Sequence, residues 1–416
     1  MEFLFRHHEV RDLAQESEVA MPATHETLSR LLQKLDGISA PASAWESDIL
    51  PGRLPGYDPA LLDMLCLSGR VSWGKFFPAA QFSQNGQGKK ASRPDSDEVS
   101  AARPRAGPVK STPINLVQRE NLSLWGNLAP SDSAVATAMS SDAEQVMAVL
   151  GNKGASFFLD IVRETGLLKT RTENALAELV SLGVVTSDSF SGMRALLSAK
   201  GKKSRKGGDR KIRRSLYEIE DAGRWTLISN PIVAGNEESE PGKEHGQEKS
   251  DETLEKLVSI YLHRWGVINR KVLEQENYSP PWRVLLLKLR RMELQGRVRG
   301  GRFIAGIGGE QFALPETVKT LRQCAADIRQ QAEDSVTRRL INGTDPLNLV
   351  GVILPGRKIA RLAKNRILFE NGLPVAVLEK DDVHLLRPCL DNELVLYRQT
   401  LLNRHYSSYL LAYLGR

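Results

Sequence analysis

Arg297, Arg299 and Arg302 fall within six residues, and Arg283, Arg290 and Arg291 precede them on a stretch with helical spacing. Guanidinium groups at that density suit phosphate oxygens, which are anionic and accept paired hydrogen bonds. In an extended segment, alternation puts Arg297 and Arg299 on one face opposite Val298, and Gly300-Gly301 is expected to form a tight turn. A helix and hairpin charged in this way would grip two phosphate tracks, or the hairpin would follow a minor groove. The competing expectation is a solvated face whose arginines pair with Glu293 and Glu310. Leu287 and Leu294 also fall on the presumed outer face, the pattern of a helix covered on both sides.

A second basic tract, Ser198 to Arg214, holds nine Lys or Arg against one Asp and includes Lys202, Lys203 and Arg205. Outside it, 48 basic residues face 49 acidic ones, so the net charge of +7 is a local property. Gly and Ser interrupt the tract, which reads either as a loop able to touch polyanions or as a solvated linker.

Signatures of catalysis are sparse. The stretch NGQGKKAS lacks the first glycine of a nucleotide-phosphate loop, GIGGEQ has no helix to follow it, and the seven histidines show no metal-ligand spacing. No cofactor and no metal are expected. Two carboxylates stand out as candidate catalytic groups, Asp36 in QKLDG and Asp345 in NGTDPLNL, although Asp before Pro commonly opens a turn through its side chain. Asp58, also before Pro, reads as a helix cap.

The elements that must position these residues repeat. LCLSGRV (65–71), LVSLGVV (179–185) and MELQGRV (292–298) each end an amphipathic helix at Gly two residues before a Val that opens a strand. Helices are expected upstream of each, at 27–35, at 141–150 and 157–163, and at 253–265. Helix, helix, helix, Gly, strand, turn, strand is the order of a winged helix, a helix-turn-helix variant. The three presumptive recognition helices differ. Residues 59–68 carry Asp63 and no Lys or Arg, residues 170–182 expose a mixed face of Arg171, Glu173, Asn174 and Glu178, and only the third is strongly basic; the first two suit packing between units. After Val336 strands take over: Leu347–Leu354, a hairpin over 366–379 turning at Asn371-Gly372, and Val383–Arg387. Residues 392–414 have helical period.

The fold class is therefore α+β, tandem winged-helix domains followed by a small β-barrel. The expected boundaries are an N-terminal extension 1–22, unit 1 over 23–130 with a linker at 85–112, and unit 2 over 131–232 with the basic linker 198–214. An acidic linker 233–252, unit 3 over 253–332, and a barrel with C-terminal helix over 333–416 complete the division. Three dispersed cysteines indicate neither disulfides nor zinc, and no window approaches a membrane span, so a cytoplasmic protein without membrane contact is expected.

Long blocks of the chain resemble a known family. APASAWESDILPGRLPGYDPALLDMLCLSGRVSWG (40–74), TPINLVQRENLSLW (112–125), ASFFLDIVRETGLLKTRTENALAELVSLGVVTSDSFSGMRALL (155–197), PPWRVLLLKLRRMELQGRVRGGRFIAGIGGEQFALPE (280–316) and DPLNLVGVILPG (345–356) are similar to the C-terminal region of the long helicase-related (Lhr) superfamily-two helicases. The resemblance implies an architecture like the winged-helix DNA glycosylases of the AlkZ type, wrapped around DNA. The family's helicase core, which would hold ATP, has no counterpart in this sequence. Those glycosylases place a Gln-x-Gln or Gln-x-Asp motif after the first helical unit; here Gln33 and Asp36 are spaced differently. The resemblance also implies uracil removal through a carboxylate, for which Asp36 and Asp345 are the candidates.

Three functions follow as expectations. The first is a DNA-binding accessory module, without its own ATPase, of an Lhr-type repair helicase, with single-stranded or duplex DNA and a helicase core as partners. The second is a DNA glycosylase acting on uracil or another lesion. The third is a protein-assembly module, including a homo-oligomer.

Overall fold

Gly69, Gly183 and Gly296 close the third helix of each repeat at φ of 70°, 81° and 74°. That left-handed conformation lets the chain leave a helix without a Cβ clash. The computed structural model describes residues 1–13, 23–76, 109–128, 139–199, 218–228, 243–330 and 336–403.

Each closed helix leads into a three-stranded antiparallel sheet. In the first, β1 (Ser39–Pro41), β2 (Val71–Gly74) and β3 (Pro113–Gln118) take the order β1-β3-β2. β4 (Ser156–Phe157), β5 (Val185–Ser187) and β6 (Arg224–Leu227) repeat it as β4-β6-β5. β7 (Val267–Ile268), β8 (Arg299–Gly301) and β9 (Gln311–Ala313) repeat it again as β7-β9-β8. A short strand, a helix, and a hairpin whose second strand lies in the middle make a winged helix in all three cases. The helices His25–Lys34 and Pro59–Leu67, Phe158–Thr165 and Lys169–Leu182, and Trp282–Leu294 lie close to their expected places, whereas Lys243–Trp265 begins ten residues before its expected start, inside the stretch 233–252 read as an acidic linker. Asp58 caps its helix by accepting from the Ala60 amide at 2.9 Å, with Pro59 in the first turn. Nearly all of the tracts 85–112 and 198–214 lies outside the described residues.

β10 (Arg338–Asn342), β11 (Arg366–Glu370), β12 (Leu373–Glu379) and β13 (Asp382–Leu385) form an antiparallel meander in chain order. Its central hairpin turns at Asn371 (φ 47°) and Gly372 (φ 78°), a two-residue turn matched to strand twist. The expected strand at 347–354 is replaced by turns in which the Leu349 carbonyl accepts from the Val352, Ile353 and Leu354 amides, and Arg338–Asn342 supplies the fourth strand. Among the described residues these strands form an open sheet, not a closed barrel. The helix Asp391–Leu402 packs on it through Tyr397 and Leu401.

Two main cores result. One joins the first two winged units through residues such as Trp45, Trp73, Leu176 and Trp225. The other joins Phe3 and Phe5 of the helix Glu2–His7 to the third unit and the four-stranded sheet. Phe5 meets Phe369 edge-on at 4.8 Å, and Glu2 pairs with the buried Arg339 at 2.7 Å. The first residues of the chain thus seal against its last sheet.

Candidate nucleic-acid interface

The helix Trp282–Leu294 turns Leu285, Leu289 and Met292 into the core. Lys288 is buried beside them and holds Asp251 at 2.8 Å and Glu255 at 2.6 Å. Glu255 also takes Arg297 at 2.5 Å, and the bonds from Lys288 and Arg297 keep its carboxyl below the usual range. Arg290 reaches Glu310 at 2.6 Å, and Arg291 lies 4.0 Å from Asp251. Arg283, Arg299 and Arg302 are exposed and, among the described residues, make no ion pair. Of the six arginines, three are held by carboxylates and three are not. Exposed ion pairs contribute only about 0–1 kcal/mol, so a phosphate can displace Glu310 or Glu255 at little cost.

The wing is built differently from the sequence expectation. Gly300 and Gly301 lie within β8, paired with Phe312 and Gln311, and the turn is the longer stretch 302–310. The Glu293 carboxylate accepts from the Gly300 amide at 2.9 Å, which ties the recognition helix to the wing. Gln311, buried in the central strand, organises the loop. Its Oε1 accepts from the Phe303 and Ile304 amides, both at 2.9 Å, and its Nε2 donates to the Ile304 and Ile307 carbonyls at 3.0 and 3.1 Å. Sequence reasoning missed Gln311, although a polar residue among the inward-facing positions of a central strand is the available signal.

The other recognition helices are engaged within the protein. Asp63 accepts from the Ser191 amide at 3.0 Å and pairs at 2.6 Å with Arg194, a fully buried arginine that also grips Glu46 at 2.8 Å. Arg171 pairs with Asp142, and Glu178 accepts from the Ser140 amide and hydroxyl. Lys202, Lys203 and Arg205 lie outside the described residues.

Both candidate carboxylates are buried and hydrogen-bonded. Asp36 accepts from the Gln118 amide (2.8 Å), Asn121 (2.7 Å) and the Trp125 indole (3.2 Å); burial raises its pKa, against those bonds. Asp345 takes both prongs of Arg53 and the Leu347 amide. These contacts tie the first unit's sheet to its following helix and to the C-terminal region. Neither residue lines a cleft of about 330 Å³ that opens between Ser47-Asp48 and Asn342, Gln399 and Thr400. Ser47 and Asp48 belong to a π-helical turn, Trp45–Ile49, a form frequent at functional sites. Among the described residues no group of three or more His, Cys, Asp or Glu could hold a metal ion, and no helix is long and apolar enough to cross a membrane.

Residues 1–89 and 247–333 match two family profiles, each described as a winged-helix domain of the large helicase-related protein, the third and the fourth Lhr winged helix. Two segments of the chain are thus similar to Lhr winged-helix domains. It is 29% identical over 348 residues to the Lhr helicase/uracil glycosylase of Escherichia coli K12, a match covering 78% of this chain and 19% of that protein. It is 28% identical over 377 residues to the Lhr helicase/probable uracil glycosylase of Mycolicibacterium smegmatis, covering 86% of this chain and 22% of the other. The chain thus spans about a fifth of the length of the curated Lhr relatives it matches. The arginine-rich helix and wing lie within the segment that matches the fourth Lhr winged helix.

Proposed function

We propose that the chain is a DNA-binding accessory module of an Lhr-type repair helicase, acting beside a helicase core rather than as one. The observation that carries this reading is the wing of the third unit, where Arg299 on β8 and Arg302 at the start of the loop shaped by Gln311 are exposed and make no ion pair among the described residues. A backbone already shaped lowers the ordering cost of bringing these arginines to phosphate, and phosphate contacts carry no sequence information. On this reading the units are 23–130, 131–232 and 253–332, and the sheet after 333 is the barrel-like end of the module. Titrating DNA at several salt concentrations tests it. Arg299→Ala with Arg302→Ala should weaken binding and reduce the log–log salt slope by about two. Unchanged affinity and slope would remove the wing from the account.

A second reading, removal of uracil from DNA, is supported by the names of both relatives and by the cleft beside Asp48. Incubation with uracil-containing single and double strands followed by alkali tests it. No strand breaks at high protein concentration would sink it.

A further inference from the structure

Six residues of the third recognition helix face solvent in rows seven apart: Arg283 with Arg290, Leu287 with Leu294, and Val284 with Arg291. Residues i and i+7 lie almost above one another, about 10.5 Å apart along the axis. The Leu row therefore runs between the Arg283–Arg290 row and the Val284–Arg291 row. Leu287 is 64% and Leu294 91% exposed, so nothing within the described residues covers them. A large aliphatic side chain held this far into water, twice on one ridge, marks a contact surface. Its flanks say what the contact is: Arg283 is unpaired, Arg290 and Arg291 are held only by exposed carboxylates, and the wing adds Arg299 and Arg302. The partner must offer negative charge on both sides of an apolar strip.

We infer that this face binds a nucleic-acid strand with unpaired bases, the arginine rows taking its phosphates and Leu287 and Leu294 lying against its base faces. The inference rests on the nucleic-acid reading above and names the form of the ligand. An intact duplex fits the face poorly. In the major groove a leucine meets hydrogen-bonding base edges and finds an apolar partner only in a thymine methyl, leaving desolvated polar groups unmatched. Leu and Val make no hydrogen bond, so they read no base-pair edge. An unpaired strand exposes the base faces themselves, and apolar side chains that enter between steps stabilise the unstacked form. The phosphates then lie outside the bases, on the side of the guanidinium rows.

Binding of the whole chain to a thymidine 20-mer, a uridine 20-mer and a blunt 20-base-pair duplex tests this. The wild type should prefer the single strands. Leu287→Ala with Leu294→Ala should cost roughly tenfold on a single strand while leaving duplex affinity and salt slope unchanged. The 20-mer showing the larger loss tells whether the strand is DNA or RNA. Both side chains are exposed, so the variant should fold, and a Leu287→Met, Leu294→Met control should retain binding. Equal affinities of wild type and double Ala variant for single strands would overturn the inference. So would loss of self-association in the Ala variant with strand binding intact, which makes the ridge a contact between copies. Binding that responds to Arg299→Ala and Arg302→Ala but not to the leucines leaves the nucleic-acid reading standing and removes this one. Absence of all binding removes both.

Discussion

Arg53 and Asp345, 292 positions apart in the chain, form a buried two-pronged ion pair with Nη1 2.7 Å from Oδ2 and Nη2 2.8 Å from Oδ1. Removing one partner leaves a buried, unpaired charge, which costs about 3–5 kcal/mol, whereas replacing both with apolar groups of similar volume is often close to neutral. Asp345→Leu or Arg53→Met alone should therefore lower stability by about that much in urea unfolding, and the double variant should recover a large part. A double variant no more stable than the worse single one would refute this account.

Gln311 touches no ligand in the proposed interface and carries no charge, yet four backbone groups of the wing depend on it. Gln311→Ala should speed amide exchange at Phe303 and Ile304 and weaken DNA binding several-fold with the salt slope unaltered, since no phosphate contact is lost. A reduced slope would mean that the loop had moved its arginines out of reach.

His8 is fully buried with Nε2 2.8 Å from the Arg264 carbonyl oxygen, so Nε2 carries the proton, and Nδ1 has no partner. Burial first, then the charges of Arg53, His7 and Lys34, depresses its pKa well below 6.5. A second proton would add a buried charge and an unpaired N–H. The unfolded chain takes that proton near pH 6.5 while the folded one resists it, so His8 favours folding above 6.5 and this contribution fades as pH falls. The melting temperature should drop between pH 7 and 5, and His8→Gln, which keeps a donor to Arg264, should flatten the drop. His7, lowered by burial, acts in the same direction.

Gly372 combines a left-handed φ of 78° with a Cβ position 2.5 Å from the Glu2 amide nitrogen. Gly372→Ala should cost about 1–2 kcal/mol in backbone strain alone and more from displacement of the helix Glu2–His7. Asn371→Gly, at a position with φ 47°, should be mild by comparison. Thermal melts of the two variants separate strain from the contact.

The repeat could be read from sequence because helix end, glycine and strand are adjacent in the chain, and the Asn371-Gly372 hairpin for the same reason. The six arginines are exposed, as their positions on the helix and hairpin suggested. What escaped was non-local. Leu347–Leu354 alternates like a strand, yet its hydrophobic residues are buried on turns, since apolar pattern reports burial and not backbone form. Asp36 and Asp345 looked reactive because their partners, Gln118, Asn121 and Trp125 for one and Arg53 for the other, lie far away in sequence. Leu287 and Leu294 looked like a covered face, and the fold leaves them bare.

The seal between the helix Glu2–His7 and the last sheet has a consequence for biosynthesis. At roughly 5–20 residues per second, Asp345 is made about 15–60 s after Arg53. Throughout that interval Glu2, Arg53 and the apolar face of Phe3 and Phe5 emerge from the ribosome without their partners. The helix Glu2–His7 and Arg53 then lock only when residues 339–369 arrive. Stalled nascent chains ending near residue 330 should be cut readily by protease around residues 1–13, and chains released at full length should resist.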